Sequence, residues 1–213
     1  MSESQRFDAI PVFHGDLPTS VANALLASPI VAVDTETSGL SWAVDRLQLC
    51  QLFSPTTGAV LLRPGELPPA RLLELLRSPA TAKVFHFAPF DLRFLCAAWN
   101  VTARNVRCTK TAHKLLRPTA PSREHSLGEL VRFYLGIELD KGNVRTSDWG
   151  AGSLSEIQVA YAAADVVHLI PLLEMLEAEL AGAGKSELFD AVCSYLPIAV
   201  ELEIDGMPDP LQY

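Results

Sequence analysis

The sequence predicts an α/β fold, and three observations carry that expectation. Residues 30–34 place Ile30, Val31, Ala32 and Val33 in an unbroken run before Asp34, the pattern of a strand buried on both faces. Residues 46–53 alternate apolar with polar side chains, which reads as a half-buried second strand, and residues 58–62 read as a third after the turn at Ser54-Pro55-Thr56-Thr57. Beyond them strand and helix signals alternate along the chain.

A short lead-in and a helix over 19–26 precede the first strand. The three strands fit an antiparallel meander. Pro68 and Pro69 then open a helix with Leu72, Leu73, Leu75 and Leu76 on its buried side. Residues 83–86 form a fourth short strand, and Pro89 starts a helix over 89–99. Val106 and Arg107 form an edge strand before a helix over 109–116. Ser126 and Glu129 have capping-box spacing and open a helix that stops near Gly136. Residues 140–150 are polar and read as a loop. Ser153 and Glu156 repeat the capping-box spacing and open a long helix over 154–180, kinked near Pro171. A last helix over 187–203 ends before Gly206 and Pro208. There is no internal repeat or low-complexity tract, so we expect one domain over 1–213, with a core over about 28–182 and a C-terminal helix and tail over about 186–213.

Of the 213 residues 49% are apolar, enough for a sizeable core. No apolar run approaches the ~18 residues of a membrane span, and the first six residues lack a signal-peptide pattern. Cys50, Cys96, Cys108 and Cys193 are scattered without a CxxC pair, which reads as reduced structural cysteines in a cytoplasmic chain. A net charge of −8 argues against a protein that coats nucleic acid. The charge is uneven, however: residues 93–123 hold seven basic side chains and no Asp or Glu. Such a segment can grip a phosphate locally, or it can be a solvated basic face.

The chemistry sits on four acids. Asp34 and Glu36 are two apart on one strand and therefore point the same way. Side by side they repel and lose solvation, which a divalent cation would relieve, because Mg²⁺ and Mn²⁺ prefer carboxylate oxygens. A solvated strand end before the Ser38-Gly39 turn is the other reading. Asp91 falls in the first turn of the helix after Pro89, where the helix dipole favours a carboxylate. Tyr161 and Asp165 are four apart and share one helix face among alanines and valines. A buried Asp there costs too much without a partner.

Taken together, Asp34-Thr35-Glu36, His86-Phe87-Ala88-Pro89-Phe90-Asp91 and Tyr161-Ala162-Ala163-Ala164-Asp165 resemble the three motifs of the DEDD superfamily of 3′–5′ exonucleases, in its tyrosine subgroup. The sister subgroup has a histidine five residues before the last aspartate, where this chain has Ala160. The resemblance covers about residues 30–180 and is closest to the ribonuclease D family, through Leu139-Asp140-Lys141, Ser147-Asp148-Trp149 and Leu154-Ser155-Glu156. With no room for that family's helical RNA-binding domains, the chain looks more like the short stand-alone nanoRNase C group. Phe13-His14-Gly15-Asp16-Leu17, Phe85-His86-Phe87-Ala88, Cys108-Thr109-Lys110 and Ser147-Asp148-Trp149-Gly150 carry that likeness.

The resemblance implies a ribonuclease H-like fold, a five-stranded mixed sheet with helices on both sides. It implies a metal-dependent 3′–5′ exoribonuclease that trims short single-stranded RNA to nucleoside 5′-monophosphates, in a ring-like homo-octamer. Four converging carboxylates would be driven toward protonation, and two divalent ions (Mg²⁺ or Mn²⁺) about 3.5–4 Å apart would remove that repulsion. One ion would activate water and the other stabilise the leaving 3′ oxygen. Asp34 is the expected bridge, Glu36 and Asp165 serve the water-side ion, and Asp91 acts through water on the second. Tyr161, with an ordinary pKa of about 10, is a poor base and a better orienter of water; simple core packing is its alternative.

Substrate contacts are less determined. Leu40, after Gly39, could wedge against terminal bases or pack in the core. His86 could touch metal or substrate, although a hydrogen-bonded structural histidine fits better. Lys110, Arg123 and His125 could hold a 5′ phosphate or simply be solvated, and Lys141 and Trp149 could line the groove, with a core anchor the other reading for Trp149. DNA trimming is a second function, a non-catalytic nucleic-acid-binding protein a third, and a metal-dependent phosphatase a fourth. Retention of all four acids and Tyr161 weighs against the third.

Overall fold

In a computed structural model that describes residues 10–139, 147–207 and 210, the chain builds one mixed six-stranded sheet flanked by helices. The strands are β1 (Val12–Gly15), β2 (Ile30–Thr37), β3 (Leu47–Ser54), β4 (Gly58–Pro64), β5 (Ala82–Phe85) and β6 (Val106–Cys108), in the order β1-β4-β3-β2-β5-β6. The meander β2-β3-β4 is antiparallel as expected, while β5 and β6 add parallel to β2. The sixth strand is a correction to the expected five. β1 is four residues long, too short to show a period, and it pairs parallel with β4.

Helices α1 (Thr19–Ala27), α2 (Ala70–Arg77), α3 (Ala88–Trp99), α4 (Thr109–Leu116), α5 (Leu127–Leu135), α6 (Glu156–Val167), α7 (Leu169–Gly182) and α8 (Ser186–Ile204) complete the described part, with a 3₁₀ turn at Ser122–His125. Leu72, Leu73, Leu75 and Leu76 of α2 are all buried, as their spacing predicts. No side chain caps α2 from its own N-cap, Pro69; instead the Asp16 carboxylate, just after β1, accepts from the Arg71 and Leu72 N–H groups. That contact explains Asp16 structurally: it neutralises orphan donors of a distant helix.

Three local expectations fail for physical reasons. The Ser126–Glu129 capping box does not form, because Glu129 turns outward to Arg132 at 2.6 Å. The second box is displaced by two residues: Ser155 accepts from the Gln158 N–H while Gln158 Oε1 accepts from the Ser155 N–H, so α6 starts at Glu156. The long helix is two helices that meet at His168. Pro171 has no N–H for the Val167 carbonyl, and its ring crowds that carbonyl. As one run, Glu156–Gly182 is apolar and long enough for a membrane span by length and composition, against the sequence expectation. A core helix pair meets the same test, and here more than half of its most apolar window is buried.

The two faces of the central strands differ. Residues paired across antiparallel strands share a face, so Asp34 lies with Gln51 and Leu61, and Glu36 with Leu49. α6 covers that face, burying Leu49 and Leu61 with Trp149, Tyr161 and Ala162 in a small cluster. The opposite face presents Val31, Val33, Cys50, Leu52 and Leu62 to the main core, which α2, α3, α7 and α8 also feed. All four cysteines are buried and free.

Candidate active site

The site forms where three layers meet. β2 runs through the acids to Thr37 rather than ending at Asp34, and a bulge between Glu36 and Thr37 breaks its register with β3. Bulges re-aim side chains at strand ends, and this one lies beside Glu36. Asp165 comes from α6 on one side of the sheet. One carboxylate oxygen from each of Asp34, Glu36 and Asp165 lies within 4.8 Å of the other two.

Asp91 arrives on α3 and is 1% exposed. Thr35, between the two acids of β2, donates its hydroxyl to Asp91 Oδ1 at 2.7 Å. Burial pushes the Asp91 carboxyl up to about 7, and the Asp165 charge adds to this, while the Thr35 hydrogen bond pulls the other way. Tyr161 is buried, packs against Trp149 with ring centroids 6.0 Å apart, and is hydrogen-bonded to Asp165. Burial, then the charges of Asp165 and Glu36, hold its hydroxyl well above the usual phenol range. Tyr161 is therefore a neutral hydrogen-bonding group at physiological pH, not a base.

An all-oxygen donor set of three clustered carboxylates, with a fourth close by, suits a hard divalent cation. Asp34, Glu36 and Asp165 could hold it directly; Asp91 stands outside that tight triad but interacts electrostatically with Asp165. A cation would also relieve the repulsion that now favours protonation.

The remaining sequence candidates separate. Leu40 is 86% exposed, so core packing is excluded. It rides on a loop tied by Asp45, whose carboxylate accepts from the Ser41 N–H, and a Cβ at Gly39 would stand 2.4 Å from that carboxylate. A side chain at 39 would have to push the Asp45 carboxylate away from the Ser41 N–H. His86 Nδ1 lies 2.9 Å from Thr109 Oγ1, which links β5 to α4. Trp149 is a core anchor beneath Tyr161 rather than a groove wall. His125 corrects the sequence reading most clearly: it is 3% exposed, with Nδ1 at 2.8 Å from His113 Nδ1 and Nε2 on the Ala120 carbonyl. Both nitrogens are engaged, so no ring atom is left for a phosphate. Arg123 is exposed and lines a separate cavity of about 650 Å³ with His113, Arg117 and Phe133. Lys110 Nζ lies over the Phe87 ring, 4.5 Å from its centroid, and Lys141 lies outside the described residues.

Sequence reasoning passed over Thr35 and Gln51. Thr35 sits on the core face yet serves Asp91, and its position between two acids was the available signal. Gln51, opposite Asp34, is fully buried with neither carboxamide atom hydrogen-bonded. Nothing in the alternation of residues 46–53 distinguishes it from an ordinary inward-facing residue.

Comparison with known proteins agrees with this geometry. Ribonuclease D of Haemophilus influenzae is 31% identical over 161 residues, which is 76% of this chain but 39% of that protein. The chain thus spans about two-fifths of the curated relatives it matches. Brucella melitensis NrnC, solved with bound Mg²⁺, superposes with a TM-score of 0.85 at 33% identity, covering 96% of this chain and 98% of that one. Escherichia coli RNase D, described as an exoribonuclease involved in structured RNA processing, superposes at 0.78 with 26% identity, over 88% of this chain and 50% of that one. The family model described as 3′-5′ exonuclease matches residues 10–181, and the chain belongs to that family, as an enzyme of the ribonuclease D and NrnC type.

Proposed function

We propose that this enzyme is a 3′–5′ exoribonuclease that hydrolyses short single-stranded RNA to nucleoside 5′-monophosphates using two divalent cations. The observation that carries the reading is the carboxylate triad within 4.8 Å with Asp91 beside it and Tyr161 on its rim. Asp34, Glu36 and Asp165 would hold the cations directly, Asp34 as the ligand they would share, and Asp91 would serve the second of them from beside the triad. When bound, the cations acidify the attacking water and stabilise the leaving 3′ oxygen. The Tyr161 hydroxyl, now directed to Asp165, orients that water by a hydrogen bond. Leu40, exposed at the end of the β2 loop, lies between terminal bases.

Short substrates are favoured because a chain of net charge −8 has few places for distant phosphates. A Brucella melitensis NrnC structure 33% identical to this chain contains pGG, a further support for short RNA. The assembly proposed is a homo-octamer. Leu188 and Ile198 of α8 are each half exposed, apolar surface left over after Phe189 and Val200 are buried inside the chain. A time course on 5′-labelled RNAs of two to twenty nucleotides, with and without Mn²⁺, tests the activity. A dinucleotide should show higher kcat/KM than a seven-nucleotide RNA of the same composition. Equal or better kcat/KM on the longer strand, or on DNA, would favour a general trimming enzyme. Light scattering that returns a monomer mass at micromolar concentration would exclude the ring.

A further inference from the structure

The loop that carries Leu40 is shaped by its own residues and tied down by a distant one. The Ser38 N–H donates to the Arg46 carbonyl and the Arg46 N–H to Ser38 Oγ, each at 2.9 Å. The Asp45 N–H donates to the Ser41 carbonyl at 2.8 Å, opposite the bond from Ser41 to the Asp45 carboxylate. Those bonds fix the loop's form; its lean toward the neighbouring helices needs a contact outside it. Among the described residues one hydrogen bond ties the loop to a helix: Trp42 Nε1 donates to Glu203 Oε1 of α8 at 3.3 Å. The Trp42 ring also packs, half-buried, against the main core, so the loop is held at two points of one side chain.

Glu203 has a second partner, and it belongs to the helix that carries Asp91. Its Oε2 accepts from Arg93 Nε at 2.8 Å, while Arg93 Nη1 donates to the Pro89 carbonyl in the first turn of α3 at 3.3 Å. One carboxylate thus joins the Leu40 loop to α3, with one oxygen for each. α8 is itself held in place: Cys193 and Val200 are buried, and Glu201 accepts from Thr102 Oγ1 at 3.1 Å. The Glu203 side chain is 42% exposed, and an exposed ion pair of this kind adds little to global stability. A carboxylate divided between two partners instead sets a distance, that between the Leu40 loop and α3. α8 also lies beyond residue 181, where the family match ends, so the tether comes from outside the matched nuclease core.

An apolar wedge works best on a backbone already held in place, because a loop that must order on each binding event loses affinity to that ordering. We propose that Glu203 is a positioning residue that holds Leu40 over the terminal bases, through Trp42 on one side and Arg93 on the other, and so sets the enzyme's affinity for the end of the strand. The carboxylate centre is untouched by this device, since neither Trp42 nor Glu203 belongs to it. The inference rests on the proposed exoribonuclease reading and deepens its account of Leu40.

The test measures kcat and KM on a dinucleotide, Kd for a non-cleavable dinucleotide analogue, and amide hydrogen exchange over residues 38–46, all in the full chain. Glu203→Ala should raise KM and Kd about three- to tenfold, the weight of a typical net hydrogen bond, with kcat unchanged. Trp42→Phe, which keeps a packed ring and deletes the N–H, should do the same. Exchange in the loop should quicken in both variants while the melting temperature barely moves. Glu203→Gln keeps an acceptor for the indole and should restore most of the affinity. In a Leu40→Ala background Glu203→Ala should add nothing, because the two act through the same contact. A normal KM with unchanged loop exchange in either variant would overturn the proposal and leave Leu40 as a wedge. A fall in kcat at constant KM would also overturn it, by placing the action of Glu203 on α3 and Asp91. Leu40→Ala with wild-type KM would remove the wedge and its tether together, and a wild type inert on RNA would remove the exonuclease reading itself.

Discussion

The two faces of β2 perform opposite tasks with alternate residues of one strand. One face, with Val31 and Val33 backed by Cys50, Leu52 and Leu62, is apolar, fully buried and stabilising. The other gathers Asp34 and Glu36 under α6 with Asp165, Tyr161 and the unpartnered Gln51. That face holds like charges together and leaves a buried carboxamide unsatisfied, both of which disfavour the folded state. The comparison teaches that the site is an expense carried by the core directly behind it. Removing a side chain should therefore have opposite consequences on the two faces.

The sharpest break comes from paired substitutions. Asp34→Ala should abolish turnover, and reversible loss in chelator should match it, while the melting temperature holds or rises as repulsion is relieved. Leu52→Ala should do the reverse. A cavity in a fully buried site costs about 2–5 kcal/mol, whereas turnover per folded molecule should persist. Parallel thermal melts and rate assays decide this, and full activity in chelator would refute the metal reading.

Tyr161→Phe should lower kcat roughly 10²-fold with little change in KM or stability, since only the hydroxyl is lost and the ring still packs on Trp149. A normal kcat would return Tyr161 to a packing role.

Thr35 links the faces, and Thr35→Val sharpens the comparison. The Thr35 hydroxyl favours the charged form of Asp91, whose carboxyl burial already holds near 7. Without that donor the carboxyl should hold its proton to higher pH. The acid limb of the pH–rate profile should then move upward and the Mn²⁺ midpoint rise several-fold. In chelator the sign for stability is fixed too. A carboxyl raised in the folded state is protonated there before it is in the unfolded chain, so wild-type stability should fall as pH rises from about 4 to 7. Melts at three pH values, with and without Mn²⁺, measure both.

The smallest effect lies away from the site. Burial first, then the neighbouring His125 and Arg117, lower the His113 pKa. The unfolded chain protonates first, so stability present above pH ~6.5 should be lost as pH falls toward the folded value. His113→Gln should flatten that part of the stability curve without moving the pH–rate profile on dinucleotides. A shift in that profile would tie the histidine pair to the active face.

Sequence by itself determined the meander, the core face of α2, and the identity and shared direction of Asp34 with Glu36 and of Tyr161 with Asp165. Each of these depends on local period, which strand and helix geometry impose on neighbouring residues whatever surrounds them. It also determined the family, through three short motifs whose order needs no coordinates. Tertiary structure alone decided what long-range partners do: β1 joining β4, Asp16 capping α2, Thr35 serving Asp91, His125 turning inward to His113, and Glu129 leaving Ser126 for Arg132. For Thr35 and His125 burial settles the choice of partner, because an unmet donor or acceptor is costly where water is excluded, while Glu129 and Arg132 meet by charge on the exposed face of α5.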